Sequence, residues 1–229
     1  MERLLSKLLH AVINGETHVV SRMLAANPEL ATTRFADGAT RQNASEFFFD
    51  TIAHYLLAGD TALHIAAAAF QRRAAELLVR SGADCRARNR RGAEPLHYAS
   101  DANRWKPAAQ KATIEYLLEA GADPNALDKS GVAPLHRAVR TRASEAVRAL
   151  LAGGARVRAR NRSGSTPLHL AVQDTGRGAA GSARARSEQA KIIAILLDAG
   201  ARVTDQDGKG KSVLEASSSE RIRMLLRRG

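Results

Sequence analysis

The segment AKIIAILLDAG (residues 190–200) sets apolar side chains at Ile192, Ile195, Leu196 and Ala199. Steps of three and four line one face of a helix, and Gly200 is placed to end that helix in a left-handed turn. Upstream, TPLHLA (residues 166–171) reads as a second, shorter helix. Thr166 suits the N-cap, Pro167 the first helical position, where its missing N–H is no loss, and Leu168 the core. Ala171 is small where helices must approach. Between such segments run short polar stretches with glycine, so the pattern predicts helix pairs joined by tight fingers.

The pattern recurs. TALHIA (61–66), EPLHYA (94–99) and APLHRA (133–138) match TPLHLA, and SVLEAS (212–217) is a degenerate fifth. Their leucines, Leu63, Leu96, Leu135, Leu168 and Leu214, are separated by 33, 39, 33 and 46 residues. A second phrase keeps step: LLVRSGADCRARN, LLEAGADPNALD, LLAGGARVRARN and LLDAGARVTDQD. The pentapeptide RARNR stands at 86–90 and again at 158–162, two repeat lengths on. A fixed period of this length marks a stacked repeat architecture.

The TPLH start, the AGA exit and the 33-residue period in register resemble the ankyrin repeat. The resemblance implies an all-α solenoid of helix-turn-helix units with β-hairpin fingers along one side. It divides the chain into an N-terminal cap pair (1–33), an insertion (34–55), full repeats at 56–88, 89–127, 128–160 and 161–206, and a truncated C-terminal cap (207–229). His64, His97, His136 and His169 are then the repeat histidines, bonding within their own repeat and to the neighbouring hairpin. Asn89 and Asn161 fill the tip position that Asp128 and Asp207 hold elsewhere.

Several positions depart from the pattern. Glu94 and Ala133 replace the capping threonine, and Ala133 offers no oxygen, a loss of about 1 kcal/mol. Leu56 stands where the first full repeat should carry an acidic tip. The insertion's three phenylalanines, Phe47, Phe48 and Phe49, are expected to cap that repeat's core. The long second and fourth repeats place their extra residues, within 100–112 and 173–190, between first and second helix. The two loops should emerge at one edge, with Trp105 as the anchor of a paired contact surface; loop lengthening is thermodynamically mild.

Composition sharpens this picture. The 229 residues are 45% hydrophobic but 4% aromatic, with alanine and leucine dominant, as close-packed helices require. The net charge of +12 comes with 35 Lys and Arg, most of them arginine. That balance suits an acidic partner, or reflects the arginine- and alanine-rich coding of a GC-rich, bacterial genome. One cysteine, Cys85, allows no internal disulfide, and no apolar run approaches the ~20 residues of a membrane span. A cytoplasmic, monomeric protein is expected.

Candidate chemistry is sparse. No HExxH, CxxC or GxSxG pattern is present, and the repeat histidines are dispersed one per unit. GKGKS (208–212) lacks the upstream glycine of a phosphate loop and fits the repeat as tip, turn and helix cap. No catalytic residue, metal or cofactor is therefore assigned. Recognition is assigned, on the resemblance, to hairpin tips and first helices: Arg88, Arg90, Arg91, Lys129, Arg160, Arg162, Lys209 and Lys211 at the tips, Asp101, Arg140, Gln173 and Asp174 on first helices, and Trp105 at the loop edge. The expected partner is a protein with an acidic surface. Nucleic-acid backbone binding is the alternative, although no aromatic side chains interleave the arginines to stack bases.

Overall fold

The computed structural model describes residues 2–101, 105–173, 182–217 and 219–227. Their chain is helical and divides into two compact units, residues 1–99 with 103–123 and residues 100–102 with 124–229.

The first unit holds α1 (Glu2–Asn14), α2 (Thr17–Ala26), α3 (Ala62–Ala68), α4 (Arg72–Arg80), α5 (Pro95–Ala99) and α6 (Pro107–Glu119). They form two layers. α3 packs on both α1 and α5, and α4 on both α2 and α6. All seven residues of α3 are buried. Its sequence, ALHIAAA, shows why: a helix enclosed on every side needs small apolar residues all round. The second unit repeats the plan with α7 (Pro134–Arg140), α8 (Ser144–Ala152), α9 (Pro167–Ala171), α10 (Ala183–Asp198), α11 (Val213–Ala216) and α12 (Glu220–Leu226). Here α9 packs between α7 and α11, while α10 packs between α8 and α12.

The repeat leucines Leu63, Leu96, Leu135 and Leu168 lie in these cores, at most 1% exposed. Gly200 ends α10 at φ +94°, with Ala201 N–H reaching back to Leu196 O at 2.9 Å. The extra residues of the long repeats are partly helix rather than loop. α6 and α10 run 13 and 16 residues where α4 and α8 run nine. Residues 102–104 and 174–181, where both loops would meet their first helices, lie outside the described residues, and Asp174 with them.

The segment after α2 begins as a finger rather than as an appendage. Arg34 bridges to Thr61, and between them a two-residue ribbon pairs β1 (Phe48–Phe49) with β2 (His54–Tyr55). The insertion is an enlarged hairpin. The three phenylalanines, expected to cap a core, are only half-buried. Phe48 stacks on Tyr55 at 4.7 Å and Phe49 meets the edge of His10 at 6.4 Å, so they fold the finger onto itself and onto α1.

Candidate functional site

The repeat histidines set the fingers relative to the helices. His64 Nδ1 accepts the Thr61 N–H at 3.1 Å, and Nε2–H donates to Ala93 O at 3.1 Å, in the following finger. His136 takes the Ala133 N–H at 3.2 Å and reaches Ala159 O and Ser165 O. His169 takes the Thr166 N–H and reaches Lys211 O at 3.2 Å. His97 Nδ1 accepts the Glu94 N–H at 3.1 Å. Ala133 therefore has its N–H satisfied by a ring nitrogen, and α7 forms without a capping hydroxyl. Burial lowers the His64 pKa to about 3, fixing a neutral ring that donates from Nε2.

Each tip turns on one side-chain oxygen. Asp128 Oδ1 accepts the N–H groups of Ser130 and Val132, Asn161 Oδ1 those of Ser163 and Ser165, and Asp207 Oδ1 those of Lys209 and Lys211. Asparagine at 161 keeps this turn while omitting a negative charge. Successive fingers then bond through backbone: Arg90 N to Ala58 O, Arg162 N to Ser130 O and Gly208 N to Ser163 O. The approach is close. A Cβ on Gly164, whose φ is +74°, would stand 2.4 Å from Gly208 N.

The arginines of both RARNR copies are engaged. Arg86 lies 3.6 Å from Asp123, and Arg158 forks onto Asp205 at 2.9 and 2.5 Å. Arg88 pairs with buried Glu94 at 3.1 Å. Arg160 donates instead to the carbonyls of Gly164 and Gln206, Arg162 to that of Lys129, and Arg90 to that of Ala39. A carbonyl fixes a guanidinium without cancelling its charge, whereas a carboxylate does both.

In the second unit this leaves an asymmetric surface. Burial acts to raise the Asp128 pKa, but the N–H groups of Val132 and Ser130 and the Arg137 guanidinium outweigh it. Arg158 holds the Asp205 carboxyl below its usual range, and the Lys209 and Lys211 N–H groups do the same for Asp207. These acids are turned inward onto the fold. Lys129, Arg160, Arg162, Lys209 and Lys211 are all exposed. Leu127, Asp128, Lys129, Gly131, Arg160, Asn161 and Arg162 line an open groove of about 710 Å³.

Other expected recognition positions fall differently. Asp101 is 7% exposed and lies 2.8 Å from Arg137, with Arg140 at 3.8 Å, so it braces α7 and presents no carboxylate to a partner. Arg140, Gln173, Arg91 and Trp105 are exposed, Trp105 at 45%. Cys85 is buried, and its burial raises the thiol's pKa, the state of an inert core thiol. Arg34, assigned to the insertion, proves to be a finger residue. It donates to Arg88 O at 2.6 Å and Gly59 O at 3.2 Å, as Arg160 does to Gln206 and Gly164. The signal was its place shortly before a glycine, obscured by the enlarged finger. Among the described residues no metal-ligand cluster is found, and no helix is long and apolar enough to cross a membrane.

A family model described as ankyrin repeats, in three copies, matches residues 8–128 and 106–207. No curated protein matches the chain.

Proposed function

Because the chain belongs to the ankyrin repeat family, whose members are in general non-enzymatic protein–protein interaction modules, we propose that it binds an acidic protein partner through the exposed fingertips of its second unit. One observation carries the reading. The acids of these fingers are engaged in turns and ion pairs, while Arg160 and Arg162 are held by carbonyls and keep their charge. Held guanidiniums lose less freedom on meeting a carboxylate than mobile ones.

Capture from the source cell tests this. Arg160→Glu with Arg162→Glu should abolish recovery of the partner while leaving the helical circular dichroism signal unchanged. Undiminished recovery would move the interface elsewhere. Retention of duplex DNA at 50 mM salt, falling steeply as salt rises, would favour phosphate reading instead.

A further inference from the structure

The groove in the second unit has a shape as well as a sign. It lies between two successive fingers, lined by Leu127–Lys129 and Gly131 on one and Arg160–Arg162 on the next, and Leu127 is 44% exposed. In the repeat register Leu127 occupies the position of Arg88, Arg160 and Gln206, so an apolar side chain replaces a polar one there. The cations are distributed from finger to finger. Arg162 reaches back to the Lys129 finger, Arg160 reaches forward to the Gln206 finger, and Lys209 belongs to that third finger. Fingers follow helix pairs, and packed helices stand roughly 8–10 Å apart. Three residues of extended or polyproline-type chain cover about the same distance, at roughly 3.1–3.3 Å each.

We infer that this groove receives an extended acidic peptide that crosses the fingers with a carboxylate at every third residue and an apolar side chain against Leu127. The inference rests on the acidic-partner reading above and specifies its geometry. Period three brings the same face of a polyproline-type chain to each finger in turn. Arg162 and Arg160 keep N–H donors beyond those used on the carbonyls, enough for a carboxylate each. Leucine contact then fixes register, which charge alone would leave free to slide.

The test is fluorescence anisotropy with the intact protein and labelled twelve-residue peptides in 100 mM salt. One peptide carries glutamate at every third position and a leucine at each end. A second has the same composition with its glutamates in one block, a third has glutamine for glutamate, and a fourth serine for leucine. The spaced peptide should bind at least 5-fold tighter than the blocked one and about 3-fold tighter than the serine one, and the glutamine peptide should not bind. Arg160→Gln with Arg162→Gln should weaken the spaced peptide at least 10-fold. Lys129→Gln with Lys209→Gln touches no internal side-chain bond shown by the structure, and should weaken it about 3-fold with unchanged melting. Equal binding of spaced and blocked peptides overturns the inference and leaves the acidic-partner reading standing. So does failure of every peptide while arginine-dependent capture persists. Displacement of the spaced peptide by duplex DNA, with a steep salt dependence, overturns both.

Discussion

The two copies of RARNR are identical in sequence and different in consequence. In each, the first arginine is bound by an aspartate further along the chain, Asp123 or Asp205, and the last by a backbone carbonyl, Ala39 or Lys129. The middle arginine separates them. Arg88 meets Glu94, which is 1% exposed at the start of α5, while Arg160 has Thr166 at the equivalent position and turns to carbonyls. One residue outside the motif decides whether its central charge is cancelled. Beneath the motifs the contrast continues. Asn89 donates to Asp60 at 2.8 Å and to Tyr98 at 2.9 Å, both buried. In the second copy the register sets Val132 and Leu170 in those places. The first copy is anchored on a buried polar network, and in the second half-buried apolar residues hold those positions.

The widest gap should appear on deleting the asparagines. Asn89→Ala takes one hydrogen bond each from buried Asp60 and Tyr98 and removes the acceptor of the Arg91 and Ala93 N–H groups, and should destabilise by about 3 kcal/mol. Asn161→Ala loses two turn bonds at a half-buried site, about 1 kcal/mol. Urea unfolding distinguishes them, and equal losses would erase the contrast.

The network also predicts a pH signature. Burial raises the Asp60 pKa to about 7 and lowers that of His64 to about 3, with the two side chains 3.9 Å apart. Between about pH 4 and 6.5 the folded pair carries one proton, on Asp60. The unfolded pair also carries one, on His64, so the two contributions to pH dependence oppose each other there. Asp60→Asn removes half of that balance. With the folded His64 pKa below its unfolded value, stability should then fall with acidification from pH 6.5 towards 3, by about 2 kcal/mol between pH 7 and pH 5. Thermal melts of both proteins across pH 4–7 check this; parallel curves would show that the two groups do not compensate.

Arginine removal should divide the copies by type of loss. Arg88→Gln leaves buried Glu94 without its cation, and should lower stability by about 1–2 kcal/mol while sparing partner capture. Adding Glu94→Gln should restore most of that. Arg160→Gln should change stability by less than about 1 kcal/mol and weaken capture. The smallest effect is a gain. Glu94→Thr copies the second unit's residue into the first, takes the buried carboxylate away from Arg88, and should raise affinity for an acidic peptide about 2-fold in anisotropy titrations.

Much of this is legible in the sequence. Period, capping threonines, exit glycines and repeat histidines each follow from chemistry inside one unit, at offsets of a few residues. Side-chain partners across fingers do not keep such offsets. Arg162 reaches Lys129 across 33 residues, but Arg90 reaches Ala39 across 51, because the first finger is enlarged. The place of Asp101 on a first helix suggests recognition, and nothing nearby in sequence announces Arg137, 36 residues on. The repeat register places the added residues of the long repeats between first and second helix, but it does not say where the second helix starts, and α10 extends back to Ala183.

Asn161 shapes its turn with the side-chain oxygen, the atom that aspartate at 128 and 207 uses for the same purpose. Exchange between the two residues is a single-nucleotide step, and it alters the finger's charge by one while leaving its conformation alone. Descendants of this gene can therefore retune the charge that the fingertips present, one codon at a time, without disturbing the stack that carries them.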